Sequence, residues 1–143
     1  MTQTEFLTNV FQGNIEAVRF ISILGAISQT WDDIIDKDKE LTSHEINEMM
    51  WQALVYLPEN KFYIDNFAEL QPLIRSCISD FMVSNQTKNP AIAYTLRDSL
   101  AGVATMVSYL IGGYDWMKQC APVIREWVHN EDLADYIHER DNT

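Results

Sequence analysis

The residues best placed to do chemistry are carboxylates. They crowd into one segment, Trp31-Asp32-Asp33-Ile34-Ile35-Asp36-Lys37-Asp38-Lys39-Glu40. An apolar stripe of Leu24, Ile27 and Trp31 at helical spacing puts Asp32 and Asp36 together on one flank, with Asp33 nearer to solvent. Two carboxylates four residues apart are close enough to share a hard cation such as Mg²⁺, with phosphate oxygens or water completing the shell. The segment falls where a helix should end, and that end carries partial negative charge. The carboxylates therefore call for a positive neighbour: a divalent cation, a basic side chain from elsewhere, or Lys37 and Lys39.

Other chemical candidates are sparser. His44 is close in sequence to the aspartates but reads as a solvated first-turn residue. His129 and His138 do not have zinc-ligand spacing. Arg97-Asp98 reads as an internal salt bridge or a polar flank of its helix rather than a substrate clamp. The chain contains no GxSxG elbow, Walker loop or GxGxxG turn. Cys77 and Cys120 stand in apolar helical stretches outside any CxxC pattern and read as reduced, buried small hydrophobes.

The elements that must carry these residues read as helices throughout. A short helix is expected around Phe6 to Phe11. A long one runs from the N-cap Asn14 to about Asp36, with Phe20, Leu24, Ile27, Trp31 and Ile34 or Ile35 on its apolar face. Thr42 and Glu45 form a capping box that starts the next helix. Its buried face is Ile46, Met49, Met50, Ala53, Leu54 and Leu57, and Pro58 ends it. An aromatic-rich segment follows, and then a helix with Pro72 in its first turn. Asn89-Pro90 opens a helix rich in small residues that runs to about Ile111 and stops at Gly112-Gly113. Pro122 marks a kink or break in the last helical segment, and the tail beyond Tyr136 frays.

The fold class that follows is all-α, a single compact bundle of five or six helices over residues 1–143. Five glycines and four prolines are few for an all-β chain, and 47% hydrophobic residues are too many for a disordered one. The formal charge of −11 argues against binding to nucleic-acid phosphate or to an anionic membrane. The longest apolar run, Leu100 to Gly113, is too short to span a bilayer, and no signal sequence is visible, so a cytoplasmic location is expected.

Asp32-Asp33-Ile34-Ile35-Asp36 resembles the DDxxD motif of class I isoprenoid synthases. That resemblance implies Asp32 and Asp36 as Mg²⁺ ligands against a diphosphate, with Asp33 in support. The second acidic motif of that family is absent, and the chain is about half the family's length. Glu45 and Glu48 resemble one ExxE pair of the all-helical nucleotide pyrophosphohydrolases, without its companions. The aspartate-rich end of the first long helix and three later stretches together resemble small uncharacterised helical proteins of phages and prophages: Trp51 to Pro58, Asn60-Lys61-Phe62-Tyr63, and Gly112 to Trp116. That resemblance implies a viral or mobile-element setting and no known reaction.

The leading expectation is a non-enzymatic protein that acts through protein–protein contact or self-association. Tyr56, Phe62, Tyr63 and Phe67 flank one loop and are the interface candidates. A homo-oligomer fits the small-residue helix and the aromatic turn. No cofactor is expected. The alternative is a divalent-metal-dependent enzyme or binding protein for a phosphate-bearing ligand, with Asp32, Asp36 and Asp33 holding Mg²⁺.

Overall fold

A computed structural model of the chain describes residues 1–37 and 39–141. Among them every regular element is helical. The chain divides into two compact units, Met1–Phe67 and Ala68–Thr143. No described helix is long and apolar enough to cross a membrane.

The first unit starts with α1 (Gln3–Val10), opened by a reciprocal capping box between Thr2 and Glu5. Its apolar side, Phe6, Leu7 and Val10, is buried, as is the C-capping Phe11. Gln12 and Gly13 both take positive φ and turn the chain into Asn14. The Asn14 side chain accepts the Ala17 N–H and starts α2 (Ile15–Asp36), as its sequence predicts.

Ala17, Phe20, Ile21 and Leu24 form the buried stripe of α2. The expected continuation through Ile34 or Ile35 is not buried: both are exposed, and the buried residue of that turn is Asp33. At 3.6 residues per turn Asp33 lies roughly 120–180° round the helix from that stripe, so it is buried on a different face, where Gln29 and Lys39 lie beside it.

α3 (Ser43–Trp51) opens with the Thr42–Glu45 capping box. Pro58 does not end it. The backbone widens into a π turn over Gln52–Tyr56, in which the Leu57 N–H reaches the Gln52 carbonyl. The helix then carries through Leu57–Glu59 (α4) and ends at Asn60. A proline ring clashes with the carbonyl four residues back, and a widened turn relieves that clash. The expected buried face of α3 also fails. Met49, Ala53 and Leu57 are half-buried, while Ile46, Met50 and Leu54 are exposed.

α5 (Lys61–Asp65) is pinned to the start of α2 by Asn60. The Asn60 Oδ1 accepts the Tyr63 N–H at 2.9 Å, and Nδ2 donates to the Glu16 carbonyl at 3.0 Å. Both halves of this buried amide are therefore satisfied. The pin sets Tyr63 against Phe20, with ring centroids 5.5 Å apart.

α6 (Phe67–Gln86) begins earlier than expected, so Pro72 lies in its interior rather than its first turn. The Ala68 carbonyl thereby loses its usual donor. Asn89 caps α7 (Pro90–Leu96) by accepting the Ala91 and Ile92 N–H groups. The helix expected to run unbroken to Ile111 breaks into a turn at residues 97–99 and resumes as α8 (Leu100–Val128).

Gly113 interrupts α8 with non-helical backbone, φ 83° and ψ −171°, at the place where its sequence predicts a stop. The neighbouring Gly112 is needed for a different reason: a Cβ there would lie 2.4 Å from the Trp116 ring. The chain stays helical through Pro122, which therefore does not divide it. Ala101, Ala104, Val107 and Ser108 are buried along α8. The tail beyond Tyr136 is helical, in α9 (Leu133–Asp141). The Asp132 carboxylate, accepting the Ala134 N–H at 2.8 Å, supplies its start.

Candidate functional site

The acidic segment closes α2 through Lys37, which takes left-handed backbone (φ 56°) and donates its N–H to the Asp33 carbonyl. Asp38 lies outside the described residues. Asp33, expected near solvent, is 9% exposed. Its Oδ1 accepts from Gln29 Nε2 at 3.2 Å, and its Oδ2 lies 3.7 Å from Lys39 Nζ. The same ammonium is 3.2 Å from Glu45 Oε2, in the capping box of α3. Lys39 thus bridges the end of α2 and the start of α3.

The contact with Glu45 raises the Lys39 ammonium above its usual range and, reciprocally, lowers the Glu45 carboxyl. Of the three proposed metal ligands, Asp32 is half-buried, Asp33 is buried beside Lys39, and Asp36 is exposed. Among the described residues no three His, Cys, Asp or Glu side chains gather as a metal-binding group. His44 is open to solvent, 4.0 Å from Glu48.

The aromatic candidates separate into two kinds. Phe62 and Tyr63 are buried core residues, and Phe20 lies against both. Tyr56 and Phe67 are exposed. Tyr56 meets Trp51 edge-on at 6.2 Å.

Ile46, Met50 and Leu54, expected on the buried face of their helix, form an exposed surface with Trp51. Ile46, Met50 and Leu54 recur at four-residue spacing, and Trp51 lies beside them. Trp51 is 53% exposed and Leu54 67%, and α3 has no buried residue. The sequence signal was the apolar period itself; what it could not tell is which apolar face finds a neighbour.

In the second unit Arg97 and Asp98 pair across the chain rather than with each other. Arg97 Nη1 is 2.9 Å from Glu131 Oε2, and its guanidinium lies 5.0 Å over the Tyr136 ring. Asp98 Oδ2 is 3.2 Å from His129 Nδ1, an ion-pair distance off the hydrogen-bonding direction. Arg125 Nη1 sits 3.3 Å from His129 Nε2. The His129 ring thus lies between the Arg125 guanidinium and the Asp98 carboxylate.

The Tyr94 hydroxyl donates to the Glu131 carbonyl. Burial pushes the Asp98 carboxyl upward against the opposing pull of Arg97 and His129. A hydrogen bond with Glu131 likewise raises Glu139. These contacts clasp the turn after α7 to the turn before α9. They match the internal salt-bridge reading, with partners too distant in sequence to foresee.

No family model, curated protein or solved structure matches this chain.

Proposed function

We propose that the protein acts by binding another protein through the exposed apolar face of α3 and its π turn. The observation that carries this reading is the run Ile46, Met50, Trp51 and Leu54, all exposed on one helical face. An apolar helical stripe left in water costs free energy that a partner recovers by covering it. Trp is the residue type most enriched at interface hot spots, and Met adapts its shape to a partner. Spacing of this kind suits a partner helix laid along it.

The first unit carries eleven acids against four bases. Two copies meeting here would repel, whereas a partner with Lys or Arg beside its apolar stripe would be attracted. The reading moves the interface from Phe62 and Tyr63, which are core, onto α3, and it keeps Tyr56 at the edge. A phage or mobile-element setting is part of the proposal and rests on the sequence resemblance alone.

Site-directed photo-cross-linking tests this. A benzophenone side chain at position 54 should give one discrete adduct with a different chain in the source cell, while the same group at exposed Lys88 should not. An adduct of twice the protein's own mass would replace the proposed partner with a second copy. No adduct from position 54 would contradict the proposal.

A further inference from the structure

The geometry points to a binding site for a small free α-amino acid in the second unit, in a cleft bounded by α6, the end of α7, and both halves of α8. The cleft has a volume of about 130 Å³. Drug-sized ligands and cofactors occupy roughly 300–1,000 Å³, so this one admits only a ligand of a few heavy atoms. Its lining contains one acid, Asp80, and one base, Arg125, together with three hydroxyl residues, Ser76, Thr95 and Ser99, and apolar side chains such as Leu96.

Three observations favour a zwitterion. First, among the described residues neither Asp80 nor Arg125 forms an ion pair, with the other or with any third group. Arg125 is exposed, with its Nη1 3.3 Å from His129 Nε2. An acid and a base that line one cleft without neutralising each other offer one site to an ammonium and another to a carboxylate.

Second, the two charges are held on separate elements. Asp80 is on α6, and Arg125 is on the part of α8 beyond the Gly113 break, where His129 in turn faces Asp98.

Third, Gly102 also lines the cleft. A Cβ there would meet nothing within 4 Å. Its backbone does not take a positive φ, so neither packing nor conformation calls for glycine in this helix. Glycine in a helix costs roughly 0.5–1 kcal/mol against alanine. At this part of the cleft wall the space beside its Cα is empty.

The ammonium of the ligand would face Asp80 and its carboxylate Arg125, leaving room only for a short side chain. This site is independent of the α3 surface.

The test is a titration of the intact protein with glycine, L-alanine and L-serine, followed by thermal shift and by amide chemical shifts. The expected result is a saturable response to at least one of them, at least about tenfold weaker for its N-acetyl and its carboxamide forms. Asp80→Asn should remove the discrimination against the N-acetyl form, and Arg125→Gln that against the carboxamide. Gly102→Leu should fill the cleft and abolish the response while the protein stays folded. Three results would each overturn the inference: no saturable response from the folded protein, equal binding of the blocked forms, or binding that survives Gly102→Leu.

Discussion

Lys39 Nζ lies 3.2 Å from Glu45 Oε2, inside the capping box that starts α3. The same atom faces the buried Asp33 at 3.7 Å. One lysine thus supplies the positive charge that the end of α2 calls for and ties it to the next helix. Glu45 is lowered by this contact, so its contribution is present above the ordinary carboxylate range and is lost as pH falls through its own lowered value. Lys39 is raised, so its contribution is present below the ordinary lysine range and is lost as pH rises through its own shifted value. Lys39→Gln should therefore cause a small loss of stability at neutral pH. That loss should vanish in acid and shrink in salt, as read by denaturant melts across pH.

The same arrangement bears on metal. With Lys39 already beside Asp33, millimolar Mg²⁺ should raise the melting temperature no more than NaCl of equal ionic strength. A Mg²⁺-specific rise that disappears in Asp36→Asn would restore the metal reading of Asp32 and Asp36.

Asn60 joins α5 to the first turn of α2 with both ends of its amide used. Asn60→Ala removes a cap and a buried hydrogen bond and should cost about 2 kcal/mol in urea unfolding. Asn60→Asp should be no better. It keeps the cap but replaces the donor facing Glu16 with a second carboxylate.

Gly112 and Gly113 should fail differently. Gly113→Ala forces a side chain into backbone that only glycine adopts readily, at about 1–3 kcal/mol. Gly112→Ala drives a Cβ into the Trp116 ring, at about 1–3 kcal/mol. Trp116→Ala made together with Gly112→Ala should recover part of the second loss and none of the first, which a double-mutant cycle would read.

Burial pushes the Cys77 thiol up to about 11 from 9.0. In the native protein its alkylation at neutral pH should run about 100-fold slower than in the unfolded chain, and should climb about tenfold per pH unit until it levels near that value. Alkylation at the unfolded rate would place the thiol in water.

Local chemistry made much of this fold legible. Asn14, the Thr42–Glu45 box, Asn89-Pro90 and the Gly112-Gly113 break each act through neighbours a few residues away, and a sequence displays such neighbours directly. The misses needed distant information. Nothing near residues 97–99 announces a turn; it is held by Glu131 and His129. The π turn let α3 pass Pro58, so the proline gave the hazard without its local solution. Phe62, Tyr63 and Trp51 are all aromatic, but Asn60 fixes the first two over Phe20 while Trp51 stays in water. Residue type alone could not sort core from surface. At the candidate site, apolar periodicity found α3 and assigned its face to the wrong side of the boundary with water.

The central claim is that this face is where a partner binds. It is tested most directly by measuring the affinity of the cross-linked partner for the native protein and for Leu54→Asp, with thermal stability checked in parallel. Leu54 is so exposed that the substitution should leave the melting temperature nearly unchanged. The account predicts a loss in affinity of about 30-fold or more, the mark of a hot-spot residue. Unchanged affinity in the folded variant would contradict it.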